Sequence, residues 1–337
     1  MSPSMPYLEI APAPRVSSGL GTRRLMWEVL VTLIPVVATA AYYFGAAALL
    51  LIAATTTATM GTEWLLTRGS GKGSTRLGDG SAALSGILLG LCLPPSTPVW
   101  MALLGGVVAI ILGKAVWGGL GFNLFNPALV GRAFLQAAFP LALTTWTAPQ
   151  QGFWTLAPSV LAPPFMRAAT DATTTATPLG LAKFAGQLVA PESLIFGGTA
   201  GSLGETSALV LILCGLWLGL RRVFDWRLPV ATLLTAALFS GVLQLWGGVA
   251  PGPLFTLSSG GLLLGAVYMV TDPVTTPLTP RGMWIFGVGV GFLVVLIRTW
   301  GGLAEGVMYA ILLMNAVTPL INRLTQPRTF GTGMRST

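Results

Sequence analysis

Apolar residues run along this chain in long blocks, broken by short polar or Gly/Pro-containing stretches. A bilayer core takes about 20 residues per helix. On that measure ten spans are predicted, at 25–44, 45–66, 81–96, 98–119, 127–146, 206–222, 228–248, 252–271, 282–299 and 303–321. The 81–96 and 206–222 blocks are short, 127–146 contains Arg132, and 252–271 is rich in Gly and Ser. Ala38-Thr39-Ala40 imitates a signal-peptidase site, but the apolar run is too long for a signal peptide and continues past it. The N-terminal segment is therefore read as retained.

Basic residues orient the spans, because cytoplasmic loops carry an excess of Lys and Arg. With the N-terminus inside, Arg15, Arg23, Arg24, Arg68, Lys72, Arg76, Arg221, Arg222, Arg227, Arg281, Arg323, Arg328 and Arg335 are cytoplasmic. Only Arg167, Lys183 and Arg298 fall outside, and Lys114 and Arg132 lie within spans. Both termini are expected in the cytoplasm, and the one long connection, 147–205, on the outer face. Long connections of this kind are uncommon and often functional.

A repeat underlies the blocks. Gly86-Ile87-Leu88-Leu89-Gly90 recurs as Gly261-Leu262-Leu263-Leu264-Gly265. Each is followed by a break containing proline (Leu93-Pro94-Pro95; Thr271-Asp272-Pro273) and a span led by Trp100 or Trp284. Gly118-Gly119-Leu120 then parallels Gly301-Gly302-Leu303. Five spans per half is an odd number, so the second half is inverted, as in transporter-like folds that work near the midplane. The expected fold is an all-α integral membrane protein of about ten transmembrane helices in two inverted five-helix repeats. Its parts are an N-terminal segment 1–24, repeats 25–146 and 206–322, the loop 147–205 and a tail 323–337.

Composition narrows the function. The 337 residues are 53% hydrophobic and 8% charged, against roughly 25% charged in soluble domains. That excludes a soluble enzyme, a disordered chain and a nucleic-acid partner despite the formal net charge of +8. There is no histidine, which removes imidazole acid–base chemistry and most zinc and haem sites. Cys92 and Cys214 lie in apolar runs and are too few for an iron–sulfur cluster, which typically takes four thiolates. The Gly-rich stretches at 69–73 and 78–80 lack the P-loop pattern, and no Rossmann glycine fingerprint occurs.

Seven charges lie within or beside the spans: Glu28, Glu63, Asp79, Lys114, Arg132, Asp272 and Glu305. An Asp, Lys or Arg at a helix centre costs roughly 2.5–3.5 kcal/mol on insertion scales, so such groups turn to the bundle interior or to water. Glu28, Glu63 and Arg132 are expected to snorkel to the interface. Asp79, Lys114, Asp272 and Glu305 are the candidates for an ion pathway.

The outer loop contains Thr170-Asp171-Ala172-Thr173-Thr174-Thr175-Ala176-Thr177-Pro178-Leu179-Gly180. This is a threonine cluster behind one carboxylate, closed by a proline that stops helices. By composition it is a linker, or a stretch offering one hydroxyl for covalent attachment. A second Thr56-Thr57-Ala58-Thr59 repeats its core, but lacks the aspartate and lies inside a span.

The pattern Asp-x-x-Thr-x-Ala-Thr resembles the flavinylation motif of the RnfD and NqrB membrane subunits. The likeness extends through Gly78-Asp79-Gly80, Ser85-Gly86-Ile87-Leu88, Gly113-Lys114-Ala115-Val116-Trp117-Gly118-Gly119 and Phe125-Asn126-Pro127-Ala128-Leu129-Val130-Gly131-Arg132. In the second half Thr271-Asp272-Pro273-Val274, Arg281-Gly282-Met283-Trp284 and Glu305-Gly306-Val307-Met308 match, so the resemblance covers about 23–322.

By that resemblance Thr177 is the acceptor of FMN through a phosphoester, attached by a flavin transferase. Asp171 is the leading acid, Thr174 the hydroxyl position, Ala176 the small residue before the acceptor, and Pro178 follows it. Thr175 and Ala172 stand where the family usually has glycine. Asp79 falls where the family has an acid implicated in cation uptake. Lys114 is either its partner or a ligand to a flavin edge.

The resemblance implies an electron-transfer subunit of a bacterial inner-membrane complex, working beside other membrane and iron–sulfur subunits. That complex couples ferredoxin/NAD redox chemistry to Na⁺ or H⁺ movement, and a second, noncovalent flavin such as riboflavin is compatible with it. The subunit is not a catalyst alone. About 24 residues before the first span favour RnfD; the alternatives are an NqrB-like subunit of a Na⁺-pumping quinone reductase and a urea-transporter-like solute channel.

Overall fold

The computed structural model describes residues 21–68, 78–149, 152–154, 156–164, 166, 175–247 and 250–327. Helices dominate it. The first half contains α1 (Thr22–Phe44), α2 (Ala46–Arg68), α3 (Ser81–Leu91), α4 (Val99–Ile110, continued by a π turn Ile111–Ala115), α5 (Pro127–Ala138) and α6 (Pro140–Thr144). The connection carries α7 (Pro178–Gly180, continued by a π turn Leu181–Ala185), α8 (Pro191–Phe196) and a 3₁₀ turn Leu203–Glu205. The second half contains α9 (Ala208–Leu220), α10 (Arg227–Leu245), α11 (Pro253–Ser258), α12 (Leu262–Leu264, continued by a π turn Gly265–Met269), α13 (Pro280–Trp300) and α14 (Val307–Thr325).

Five of these, α1, α2, α10, α13 and α14, are long and apolar enough to cross a membrane, and α3, α4 and α9 are shorter apolar helices. Only 33–44% of each long span is buried within the protein. Much of the rest is Leu, Ile, Val and Trp open to the outside, and Leu213, Leu216, Trp217 and Leu220 along the shorter α9 are open as well. Water would penalise an apolar surface of that extent; lipid does not.

Three of the expected spans are broken. The 81–96 block is helical only to Leu91, because Pro94 and Pro95 cannot continue the ladder. The 252–271 block splits at Ser259–Gly261, where Gly260 takes a left-handed φ of 66°. The 127–146 block ends as a helix at Ala138 and restarts at Pro140. The connection 147–205 holds short helices and folds back into the bundle.

The halves share packing. In the first, α4 lies so close to α2 that a Cβ on Gly106 would sit 2.9 Å from the Thr55 carbonyl oxygen. In the second, α13 approaches α10 equally closely, with a Cβ on Gly287 falling 2.9 Å from the Leu228 carbonyl. Small residues permit this approach where lipid supplies no hydrophobic drive between helices. Near the end of α4 the π turn Ile111–Ala115 carries the buried Lys114.

Candidate functional site

Thr177 caps α7. Its backbone is extended (φ −68°, ψ 156°), its Oγ1 accepts the Gly180 N–H at 3.0 Å, and Pro178 occupies the first helical position. Threonine followed by proline favours this start, since proline's missing N–H would be unpaired there anyway. The half-buried Thr177 lies on the wall of a cavity of about 850 Å³, counting its open mouth, also lined by Arg132, Trp146, Glu205, Gly260 and Glu305.

The register is specific. Thr175, two residues earlier, donates its N–H to the Trp146 carbonyl at 2.9 Å, and its hydroxyl is buried away from that cavity. Ala176 is exposed and Pro178 buried. Thr59, in the second threonine run, is 0% exposed and donates to the Thr56 carbonyl at 2.9 Å. Asp171 and Thr174 lie outside the described residues.

Beneath Thr177 the broken helices present free carbonyl oxygens, and two arginines satisfy them. Arg132 of α5 donates to the Cys92 carbonyl at 2.6 Å, at the end of α3. Arg298 of α13 donates to the Thr256 and Ser259 carbonyls at 2.7 and 2.9 Å, at the end of α11. Both arginines reach Glu305, Arg132 at 3.6 Å and Arg298 at 3.9 Å. Glu305 also accepts the Gly261 N–H. The 3₁₀ turn adds Glu205, whose carboxyl accepts from Ser202 and, with that of Glu305, faces the Cβ position of Gly261.

Burial, and then the charge on Glu305, push the Glu205 carboxyl up to about 8.

A second cavity lies at the opposite end of α3 and α5, lined by Ser81, Lys114, Asn123, Asn126, Tyr268 and Asp272 among others. Lys114 Nζ donates to Glu63 Oε1 and to Ser81 Oγ, each at 2.6 Å. The Ser81 hydroxyl in turn donates to Asp79 Oδ1 at 2.6 Å. Asp272 is held by the Val274 N–H at 3.2 Å and the Thr275 hydroxyl at 3.3 Å. Asn126 caps α5, accepting the Ala128 N–H at 3.0 Å.

The four ion-pathway candidates therefore separate into two places. Asp79, Lys114 and Asp272 gather at the second cavity, and Glu305 lies with Thr177 at the first. Glu63 and Arg132 do not snorkel. Glu63 turns inward to Lys114, and Arg132 to Cys92 and Glu305, because each finds a buried partner that an interface position would forfeit. Glu28 does stay near the surface, 3.1 Å from both Arg24 and Arg221. Arg298, expected outside the membrane, is the buried end of α13. Sequence reasoning misses Glu205 altogether. Its one cue is a carboxylate set among small and apolar residues, Gly201-Ser202-Leu203-Gly204, directly before an apolar helix.

Among known proteins, the model of the NQR2, RnfD, RnfE family matches residues 9–331. The D component of the proton-translocating ferredoxin:NAD(+) oxidoreductase complex of Clostridium ljungdahlii is 39% identical over 334 residues, covering 96% of each chain. The D component of the ion-translocating oxidoreductase complex of Stutzerimonas stutzeri is 41% identical, covering 93% of each. Its counterpart in the Na(+)-translocating ferredoxin:NAD(+) oxidoreductase complex of Acetobacterium woodii is 37% identical, covering 96% of this chain and 95% of its own. A match of this length, running through both cavities, makes this chain a member of the NQR2, RnfD, RnfE family.

Proposed function

We propose that this chain is the membrane electron-transfer subunit of an Rnf-type complex, carrying FMN as a phosphoester on Thr177. The observation that carries the reading is the placement of Thr177. Of the described threonines in its motif, it alone lines the cavity walled by Arg132, Trp146, Glu205 and Glu305. The cavity suits the group: Trp146 and Leu179 offer apolar walls, and Arg132 offers a cation. When bound, the flavin supplies the electron chemistry, while the protein supplies position and electrostatics. Arg132 and Arg298 stabilise negative charge arriving near Thr177, and α7 fixes the angle at which the acceptor oxygen faces the cavity.

In this reading the chain makes ten crossings as two inverted repeats in the bacterial inner membrane, with both ends cytoplasmic and Thr177 outside. A flavin transferase matures it, and iron–sulfur and other membrane subunits of the complex handle ferredoxin and NAD. The coupled ion is Na⁺ or H⁺; relatives named for each match at 37% and 39% identity, so overall likeness does not separate the two. A second, noncovalent flavin such as riboflavin is compatible with this reading.

Peptide mass spectrometry of the chain purified from a host that expresses the transferase tests the reading. An FMN-mass adduct on the Thr177 peptide is expected. A colourless protein with Thr177 unmodified would return the chain to the solute-channel reading.

A further inference from the structure

The carboxyl groups of Glu205 and Glu305 meet at one place in the wall of the Thr177 cavity. Two carboxylates facing one another at a buried site repel, so a proton on one of them relieves the pair. Their approach is built in by glycine. A Cβ on Gly261 would lie 2.9 Å from Glu305 Oε1 and 3.2 Å from Glu205 Oε1, so the two oxygens converge on a position that only glycine leaves open. Gly204 seats the other side of the pair, its Cβ position 2.9 Å from Leu91 Cβ and Leu264 Cδ2.

The surroundings decide where the proton sits. Glu305 faces Arg132 and Arg298, whereas Glu205 has no arginine within ion-pair distance among the described residues, only the Ser202 hydroxyl. Glu305 is therefore the anion and Glu205 the acid. The two arginines and the one carboxylate leave the cluster with one net positive charge, and it shares a cavity with Thr177. Among the described residues, Cys92, beside Arg132, and Tyr309, at the cavity wall, are the other titratable groups facing it.

We propose that Glu205 and Glu305 share one exchangeable proton and form the proton-holding site coupled to the redox group on Thr177. This rests on the flavin reading above. An electron delivered to the cavity by a reduced iron–sulfur donor adds one negative charge there. That charge raises the proton affinity of the pair: where both carboxylates are ionised it takes one proton from water, and where Glu205 already holds the proton it holds it more tightly and takes up no other. Reoxidation returns the electron to the acceptor and the proton to water, so charge and atoms balance in both directions.

Infrared spectroscopy of the full-length protein in detergent tests this. The wild type should show a protonated-carboxyl C=O band that titrates away as pH rises through about 8. Glu205→Gln should lose the band, and Glu205→Asp should restore it at a shifted frequency, showing that the loss is chemical and not a failure to fold. The reduced-minus-oxidised spectrum of the flavin-loaded protein should contain a change in the same band, absent in Glu205→Gln. Thr177→Ala should abolish that difference signal while leaving the absolute band. Identical absolute spectra for wild type and Glu205→Gln would overturn the shared proton. A band indifferent to reduction would overturn its coupling to the redox group. Wild-type protein that shows the band but no flavin would sink the reading of Thr177 and the coupling with it, while the shared proton would stand.

Discussion

Lys114 Nζ lies 2.6 Å from Glu63 Oε1, with the two side chains only 4% and 6% exposed. They come from α4 and α2, far apart in sequence, and the Ser81 hydroxyl at the start of α3 completes the junction. Breaking one partner of a buried pair leaves an uncompensated charge and costs about 3–5 kcal/mol. Lys114→Met and Glu63→Gln should each lower the melting temperature in detergent more than the double variant does. A double variant no better than the worse single would show that the two groups do not depend on one another.

Asp79 joins this junction through Ser81, accepting its backbone N–H at 2.8 Å and its hydroxyl at 2.6 Å. Asp79→Asn keeps the shape and removes the charge. Redox-driven ion uptake by vesicles holding the complex should fall severalfold, while attachment of FMN to the chain persists. Unchanged uptake would reduce Asp79 to a residue that orders the start of α3.

How much of this is legible in the sequence depends on range. Apolar blocks mark the spans because a helix in lipid satisfies its own backbone and needs only length and hydropathy. Lys114 stands out as a charge within such a block. Its partner cannot be read, since Glu63 sits 51 residues away and meets it only after α2 and α4 pack. The breaks near Pro94 and Gly260 are visible as residues, but their consequence is not: the freed carbonyls are met by Arg132 and Arg298 from other helices. Glu205 is hidden for a related reason. Nothing local distinguishes it from a solvated loop acid until Leu203 N–H bonds the Leu93 carbonyl at 3.1 Å and draws the turn into the bundle.

Stability should carry the mark of Glu205. Its carboxyl is raised from an ordinary value of 4.5 to about 8, first by burial and then by Glu305. The folded state then holds a proton that the unfolded state releases, so stability falls as pH rises between these values. The contribution is complete below about pH 4.5, declines across the interval and is gone above about 8. Melting curves from pH 5 to 9 should show wild type losing stability relative to Glu205→Gln as pH rises. Parallel curves would show that the group does not titrate there.

Thr177→Ala is the sharpest test, because it removes the one hydroxyl on which the functional reading depends. The yellow fluorescent band on a denaturing gel should vanish, and the intact mass should fall by the FMN adduct. The fold should survive: the variant loses the bond from Gly180 N–H to Thr177 Oγ1, and a lost helix cap costs about 1 kcal/mol. Thr177→Ser keeps a hydroxyl and should label less, reporting how strictly the transferase reads the methyl group. Asp171→Ala should weaken labelling without moving it, since the aspartate is assigned to recognition. Thr59→Ala should label fully, because that hydroxyl is buried in α2. An adduct on Thr173, Thr174 or Thr175 would move the acceptor. Thr175 would be the most informative, since its hydroxyl is turned into the protein and the loop would have to open to present it.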